Sequence, residues 1–225
     1  MQPGVIQPYP AARDIVLIGG GHTHALVLRA WGMNPLPGVR LTVLDPKPPA
    51  PYSGMLPGHV AGHYTRDALD IDLVRLARFA GARLIIGAAQ AIDPVARTID
   101  VPGRPAVAYD IASVDIGITS TMPDLPGFVE YAVPAKPLGP FATAWQDYLA
   151  GEGPAEIAVS GGGVAGAELA MAMAHAMRAR GRAATIRLIE RGTALTAVNP
   201  ASRRILLSAL KAQGAHILEQ THITQ

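Results

Sequence analysis

One pattern occurs twice in this sequence and limits what the chain can fold into. It consists of a short apolar run, a glycine-rich turn, a helical segment, a second apolar run and a closing acidic residue. In the first copy, Asp45 follows the first glycine of the turn, Gly19, by 26 residues (45 − 19). In the second copy, Glu190 follows Gly161 by 29 residues (190 − 161). A whole string of this kind recurs by chance far less often than a single motif, so two strand–helix–strand units are predicted.

Each copy has the residue types that a dinucleotide site needs. Glycines let the backbone turn tightly and approach a pyrophosphate, whose charge is stabilised by the free amides and positive dipole end of the following helix. The closing carboxylate can accept hydrogen bonds from ribose hydroxyls, and it disfavours the additional phosphate of NADP. Arg191, next to Glu190, weakens that preference because an arginine can accommodate a 2′-phosphate. NAD is therefore favoured over NADP in the second copy.

The two copies differ at the third glycine position, which normally allows the helix to pack closely on the strand. The second copy has Gly166 there, whereas the first copy has His24. A histidine at this position is expected either to push the helix outward or to direct its ring towards the ligand.

Composition excludes several classes of function. The net charge of +2 is too small to indicate a nucleic-acid partner. The 225 residues include no cysteine, which excludes a structural disulfide, a thiolate nucleophile, a zinc–thiolate site and a redox-active cysteine pair within this stretch. The N-terminus lacks a secretory pattern, and the most apolar later window, residues 155–177, is interrupted by glutamates and glycines. The cytoplasm is the expected compartment.

Between the two copies the period of the pattern changes. Short apolar segments at 88–92, 97–101 and 106–109 are separated by turn residues and predict a small antiparallel meander. A buried strand is expected at 111–117, and a helix at 141–150.

A proline-rich loop, residues 45–58, leaves the carboxyl end of a predicted parallel strand, where ligands bind in such sheets. His59 and His63 follow it with the spacing of a helical metal-binding pair. No third ligand is near and Gly62 intervenes, so ordinary loop histidines are favoured and no metal site is predicted.

The order of these motifs resembles that of the two-dinucleotide-binding-domain flavoproteins, the pyridine nucleotide–disulfide oxidoreductase family. Beside the two glycine motifs, the resemblance rests on Tyr109-Asp110 leading to Asp115-Ile116-Gly117, on Pro126-Gly127, and on Glu168 after the second turn. The GGGHTHA start, the YSGMLPG loop and the segment Lys136-Pro137 are most similar to the type II NADH dehydrogenase-like subgroup, including modules fused to selenide, water dikinase.

The resemblance implies an α/β fold of two nested, Rossmann-like FAD- and NAD(P)-binding domains with parallel sheets and a small antiparallel meander. Residues 1–150 would form the FAD-binding domain, and residues 151–225 the first part of an NAD(P)-binding domain inserted into it. The third strand of the second copy has barely ended where the sequence stops. Because parallel sheets need cover on both faces, a C-terminal part that completes both domains is expected to be missing.

The resemblance also implies the cofactors and their contacts: FAD in the first site, and NAD(H), rather than NADP, in the second. Glu168 would face the nicotinamide and Lys136 the flavin as candidate catalytic residues, although a surface salt bridge is an alternative role for Lys136. The implied FAD contacts are Gly19, Gly20, Gly21, His22, Thr23, His24, Asp45, Pro46, Ser53, Gly54, Met55, Leu56, Ala89, Ile116 and Gly117. The implied NAD(H) contacts are Gly161, Gly163, Val164, Ala165, Gly166, Glu190 and Arg191.

The implied reaction is hydride transfer from NAD(P)H to the flavin and then to a small-molecule electron acceptor. Without cysteine in this stretch, a quinone or another non-thiol acceptor is expected. An oxygen-reacting flavin oxidase or monooxygenase and a non-catalytic nucleotide-sensing module are the alternatives. As in quinone-reducing relatives, membrane contact is expected only through the C-terminal region that is predicted to be missing, so a peripheral membrane location of the full-length protein is an alternative to the cytoplasm. Homodimer formation stays open.

Overall fold

The computed structural model describes residues 11–118, 122, 124–152 and 155–224. The chain forms two compact units. The first unit contains the described residues up to Tyr52 together with Asp70–Ile118, and the second contains Ser53–Leu69 and the described residues after Ile118.

The secondary structure contains both predicted strand–helix–strand units and the predicted meander, with short further elements in the segment 45–58 that was expected to be a loop. The strands are β1 (Arg13–Ile18), β2 (Val39–Asp45), β3 (Ala50–Pro51), β4 (Asp70–Ile71), β5 (Arg83–Ile86), β6 (Ala91–Asp93), β7 (Thr98–Asp100), β8 (Val107–Ala108), β9 (Ile111–Val114), β10 (Glu156–Ser160), β11 (Thr185–Ile189) and β12 (Ala215–Leu218). The α-helices are α1 (His22–Met33), α2 (Leu56–Ala61), α3 (Leu73–Ala80), α4 (Phe128–Tyr131), α5 (Leu138–Ala150), α6 (Val164–Ala179) and α7 (Pro200–Ala212).

The first unit is built on a parallel sheet in the order β5-β2-β1-β9. The register pairs Ile18 of β1 with Leu44 of β2 and with Val114 of β9, so the carboxyl ends of these three strands lie together. That edge of the sheet carries the first glycine turn, which begins at Gly19. The topology thus gathers the end of each strand around one site.

The two faces of this sheet are covered differently because side chains alternate along each strand. Leu17 packs with Leu28 of α1 and Leu73 of α3 on the helical face. Val16 and Ile18 of the same strand belong to a second cluster with Ile99, Val101 and Val107 of the meander region. Strands β6, β7 and β8 pair antiparallel, as the sequence predicted.

Local signals explain where the helices of this unit begin and end. Helix α1 stops at Met33, before Asn34 and Pro35, because the residue before a proline is disfavoured in a helix. Helix α3 begins after Asp72, whose side chain accepts a hydrogen bond from the amide of Arg75. It ends at Ala80 and is followed by Gly81 as C-cap, which has the left-handed conformation (φ 62°) that glycine adopts without steric cost.

The second unit contains a three-stranded parallel sheet in the order β10-β11-β12. Its apolar core is formed mainly by α6, with Leu188 and Ile186 of β11. Phe141 and Trp145 of α5 pack into the same cluster, and the Trp145 indole N–H donates to the carbonyl oxygen of Val60 in α2 (3.0 Å).

The two units are compact groups defined by contacts, and the boundary at residue 150 between an FAD-binding and an NAD(P)-binding domain stays a prediction. Helix α2 packs on both α5 and α6, and buried side chains of all three helices belong to one apolar cluster, so residues 53–69 and 124–150 group with the second unit. Within the described residues, no helix has the combined length and apolar character needed to span a bilayer.

Two local expectations were wrong. The strand expected at 111–117 is shorter, ends at Val114, and is largely exposed rather than buried, because β9 is an edge strand that pairs with β1 alone in this sheet. His59 lies within α2 rather than in a loop, and it is buried, with Nδ1 3.0 Å from the carbonyl oxygen of Tyr64.

Candidate nucleotide sites

The two glycine turns, residues 19–24 and 161–166, have the same backbone design. Gly19 (φ 93°) and Gly161 (φ 106°) both adopt the positive φ region, which favours glycine and reverses the chain directly after a strand. Gly21 and Gly163 then form the N-caps of α1 and α6 in an extended conformation. The sequence repeat is therefore also a repeat of geometry.

Asp45 closes the first turn. Its side chain is buried, and Oδ2 accepts a hydrogen bond from the amide of Gly20 (2.7 Å), while Oδ1 accepts one from the amide of Lys47 (2.8 Å). These contacts hold the carboxylate at the end of β2. Each oxygen keeps a further lone pair, so the group can still accept hydrogen bonds from ribose hydroxyls.

Glu190 closes the second turn in the same way. Oε2 accepts a hydrogen bond from the amide of Gly162 (2.7 Å), and Oε1 accepts one from the amide of Gly192 (2.8 Å). These amides, Gly192 first, hold the pKa of Glu190 below its ordinary value of 4.5 because they stabilise the ionised form. The neighbouring Arg191 is exposed and lowers the pKa further.

His24 resolves the difference between the two turns. Its ring is buried, with Nδ1 2.7 Å from the carbonyl oxygen of Gly19 and Nε2 2.9 Å from Oγ of Ser113. In the tautomer that donates from Nδ1 to the carbonyl oxygen, Nε2 can accept a hydrogen bond from the Ser113 hydroxyl. The side chain therefore ties the first turn to β9. The sequence analysis expected the ring either to push the helix outward or to point towards a ligand, and it did not foresee these two partners; a contact of His24 with FAD stays a prediction.

Asp115 lies directly after β9, at the amino end of α1. Its Oδ2 accepts hydrogen bonds from the amides of Thr23 (3.0 Å) and His24 (3.2 Å). A Cβ on Gly21 would lie under 3.0 Å from this carboxyl group, and a Cβ on Gly19 would lie equally close to the backbone oxygen of Asp115. Gly19 and Gly21 were both predicted to contact a pyrophosphate. Because they have no side chains, they leave the space that Asp115 occupies.

The second turn is more open. A Cβ on Gly161 or Gly163 would meet no atom of the described residues within 4 Å. Among the described backbone hydrogen bonds outside helices and strands, none is donated by the amides of Ala165 and Gly166 at the amino end of α6. An open turn, a helix N-terminus and a fixed acid together fit the pyrophosphate and ribose of a dinucleotide.

The remaining residues predicted for the first site lie at several places in the two units. Ala89 is half-buried against the meander-side cluster, while Pro46, Ile116 and Gly117 are exposed, and a Cβ on Gly117 would meet no described atom within 4 Å. The exposed ring of His22 lies 5.4 Å from that of Tyr52, measured between centroids.

The segment predicted to border the flavin belongs to the second unit. Ser53, Gly54 and Met55 form a short 3₁₀ helix, and Leu56 begins α2 with its side chain in the core. Lys136, half-buried, also belongs to this unit.

On α6, Val164, Ala165 and Glu168 are exposed. Glu168 therefore lies on the helix that begins at the second turn, as predicted, and its facing of a nicotinamide stays a prediction. Within the described part of the chain, no three histidine, aspartate or glutamate side chains are grouped so as to hold a metal ion.

Sequence reasoning missed the roles of Ser113 and Asp115. Both residues are 89 to 92 positions from their partners in the first turn, so no local spacing reveals the contacts. One signal was available: an acid that directly follows a strand pairing with β1 must lie at the edge of the sheet where the glycine turn begins.

Comparison with known proteins places this geometry among related folds. Demethylphylloquinone reductase NdbB of Synechocystis is 32% identical over 127 residues, which are 54% of this chain and 31% of that protein. The structure is similar to sulfide:quinone oxidoreductase of Aquifex aeolicus (TM-score 0.73, 19% identity, 95% of this chain and 52% of that chain). It is also similar to NDH2 of Plasmodium falciparum in complex with NADH (TM-score 0.73, 13% identity, 95% and 49%).

The chain spans about a third of the length of NdbB and about half that of the structural relatives. At these low identities the structural similarity establishes the fold, which is the paired α/β arrangement predicted from the sequence. The sequence profile of the pyridine nucleotide-disulphide oxidoreductases matches residues 13–225, which include both glycine turns and both closing acids. This chain therefore belongs to the pyridine nucleotide-disulphide oxidoreductase family.

Proposed function

We propose that this chain provides the cofactor sites of an FAD-dependent oxidoreductase that transfers hydride from NAD(P)H to the flavin and then to a quinone or another non-thiol acceptor. The observation that carries the proposal is the repeated geometry of the two turns. In each, a carboxylate at the end of a parallel strand is fixed by the amide of the turn's second glycine. Two such sites in one chain suit a reaction in which one nucleotide cofactor reduces another.

The residues of the chain have binding and positioning roles in this proposal. The amides at the amino end of α6 would bind the pyrophosphate of NAD(P)H, and Glu190 would accept hydrogen bonds from its adenosine ribose. Asp45 would do the same for the ribose of FAD. The bound cofactors supply the hydride chemistry, so no protein nucleophile is needed for the first step.

The choice of acceptor rests on composition and on the relatives. The family is FAD-dependent and uses NAD(P)H, and its name refers to reactions at disulphides. These 225 residues contain no cysteine, which disfavours a thiol relay within them. Two of the compared proteins are named for quinone substrates, a demethylphylloquinone reductase and a sulfide:quinone oxidoreductase. A quinone is therefore the acceptor we favour.

Anaerobic spectroscopy tests the proposal. The purified protein is loaded with FAD and mixed with NADH under nitrogen, and the visible absorbance of the oxidised flavin is followed. We expect NADH to bleach the flavin and a soluble quinone to restore its absorbance quickly, whereas oxygen restores it slowly. Dithionite is the control, because it reduces bound flavin without using the NAD(P)H site.

Other outcomes identify the alternative functions. Rapid reoxidation by oxygen, with no response to quinone, would indicate a flavin oxidase or monooxygenase. Bleaching by dithionite but not by NADH or NADPH would contradict transfer between the two sites. If the purified full-length protein took up no FAD at all, a nucleotide-sensing role would be favoured.

A further inference from the structure

The amino end of α1 already holds an anion that belongs to the chain. The Asp115 carboxylate accepts hydrogen bonds from the amides of Thr23 and His24, which belong to the first turn of the helix. These are amides that a glycine motif of this type normally offers to the phosphate groups of a dinucleotide. An aspartate in this position satisfies the same donors and the same helix dipole.

The position of Asp115 is set by the sheet. Its backbone amide donates to the carbonyl oxygen of Ile18 (2.8 Å), which continues the pairing of β9 with β1 by one residue. The glycine turn leaves room for both its backbone and its side chain, since a Cβ on Gly19 or Gly21 would overlap with Asp115. The sheet pairing and the glycines Gly19 and Gly21 together fix the contact of Asp115 with the amino end of α1.

The second turn provides an internal comparison. It has the same backbone design, and a Cβ on Gly163 would meet no atom of the described residues within 4 Å. The described sheet β10-β11-β12 has no strand on the outer side of β10, so this part of the chain contains no counterpart of β9 or of Asp115. The two sites share their closing acids, and the contact of a carboxylate with helix amides is observed at the first site.

We infer that Asp115 competes with the cofactor's pyrophosphate for the amino end of α1 and so weakens and tunes the binding of FAD at the first site. This inference rests on the proposed function, because it assumes that the first site takes FAD. A pyrophosphate that approaches these amides must displace the carboxylate or share them with a like charge, and both cost binding free energy. Asp115 is therefore a specificity-determining residue, because it lowers the affinity of the first site for ligands that carry phosphate groups.

The test is the affinity of the purified apoprotein for FAD, measured by quenching of flavin fluorescence at low ionic strength. Asp115→Asn keeps the size of the side chain and removes its charge, and we expect it to bind FAD about tenfold more tightly. Asp115→Ala, which vacates the position, is the second variant and should show the same direction. The gain should shrink as salt is added, because salt screens charge–charge repulsion.

Asp110→Asn is the matched control. Asp110 lies just before β9, at the opposite end of the strand, and its carboxylate also accepts a hydrogen bond from a backbone amide, that of Asp14 (2.6 Å). Its neutralisation should leave the FAD affinity unchanged. Circular dichroism confirms that all variants are folded before their affinities are compared.

Two smaller probes separate charge competition from a general loosening of the site. ADP carries a pyrophosphate and should gain affinity in Asp115→Asn, whereas riboflavin carries no phosphate and should not. Unchanged or weaker FAD binding by both Asp115 variants, or an equal gain for riboflavin, would overturn the inference while leaving the proposed function in place. Failure of the wild type and of every variant to bind FAD would overturn both.

Discussion

The ring of His24 lies against the carbonyl oxygen of Gly19, with Nδ1 2.7 Å from it. In the second turn, Gly166 holds the position equivalent to His24, and a Cβ there would overlap with the carbonyl oxygen of Gly161. The carbonyl oxygen of the first glycine thus contacts the helix backbone at Gly166 in the second turn, and the imidazole of His24 in the first turn. The helix is held to the turn by close backbone packing in one case and by a side-chain hydrogen bond in the other.

Replacement of His24 by alanine should destabilise the first unit. The variant leaves a cavity where a buried ring was and removes the partner of the Gly19 carbonyl, so we expect a loss of about 2–4 kcal/mol in the free energy of unfolding. Ser113→Ala removes only the hydroxyl bonded to Nε2 and should cost about 1 kcal/mol. Amide hydrogen exchange measures this loss for each unit separately.

A loss confined to the first unit, larger for His24→Ala than for Ser113→Ala, is the expected result. Equal exchange rates in wild type and His24→Ala would show that the ring does not support the turn. Because the two side chains are in contact, their double variant should lose less than the sum of the single losses.

Gly166→Ala should destabilise the second unit for a steric reason. The added methyl group would lie under 3.0 Å from the backbone oxygen of Gly161, so the helix or the turn must move. Overpacking of this kind costs about 1–3 kcal/mol. Gly163→Ala is the matched control, since φ is −73° and the added methyl meets no described atom within 4 Å. It should cost less than about 1 kcal/mol.

The losses in the free energy of unfolding of the two glycine variants are compared by hydrogen exchange measured at increasing concentrations of urea. Similar losses for Gly163→Ala and Gly166→Ala would contradict the assignment of Gly166 to helix packing, and would instead indicate a general intolerance of side chains in this turn.

The parts of the fold that were predictable depend on local chemistry. The glycine turns and the closing acids Asp45 and Glu190 are each set by residues near in sequence, and the structure has them at the ends of parallel strands as expected. The meander was also predictable from its alternation and turn residues.

The parts that were not predictable depend on contacts between distant residues. An apolar run such as 111–117 reads as a buried strand, but its exposure depends on whether another strand pairs with its outer edge. His59 could not be placed in a helix because Pro57 and Gly58 are read as loop residues, although Pro57 lies in the first turn of α2, where proline is tolerated. The position of Asp115 at the amino end of α1 follows only from the pairing of β9 with β1.

The stability of the second unit should depend on the ionisation of Glu190. Hydrogen bonds from Gly192 and Gly162 lower the pKa of this carboxyl below 4.5, so its ionised form stabilises the fold. That contribution is present above pH 4.5 and is lost as the pH falls through the lower pKa of the folded state. Glu190→Gln should therefore be less stable at neutral pH and lose stability less steeply in acid. The difference will be small, because the site is accessible to solvent.

Thermal unfolding between pH 7 and pH 3 measures this dependence. Glu168→Gln, which neutralises an exposed carboxyl on α6, is the control for a change in net charge and should keep the wild-type profile. If Glu190→Gln also keeps the acid limb of the wild type, the backbone hydrogen bonds to Glu190 do not contribute to stability.

Glu190 should also set the choice between NADH and NADPH. A carboxylate at the ribose repels a 2′-phosphate, whereas the adjacent Arg191 can accept it. Glu190→Gln should therefore narrow the preference for NADH by about tenfold, mainly by improving the affinity for NADPH. Arg191→Ala should change the preference in the opposite direction. Titration of both nucleotides by intrinsic fluorescence checks this, and an equal effect of Glu190→Gln on both would contradict it.

Gly163→Val should separate the two cofactor sites. The position faces open space, so the apoprotein can accommodate the isopropyl group, but that group would occupy the volume proposed for the pyrophosphate of NAD(P)H. We expect the Kd for NADH to rise at least tenfold while the amount of FAD bound per protein stays unchanged.

Gly117→Val is the reciprocal variant. A Cβ on Gly117 also meets no described atom within 4 Å, but Gly117 is assigned to the flavin, so this variant should lower the FAD content without changing the affinity for NADH. Absorbance of the purified protein gives the FAD content, and fluorescence titration gives the Kd for NADH. If Gly163→Val lost both cofactors equally, the two turns would not be independent sites, and the assignment of the second turn to NAD(P)H would have to be abandoned.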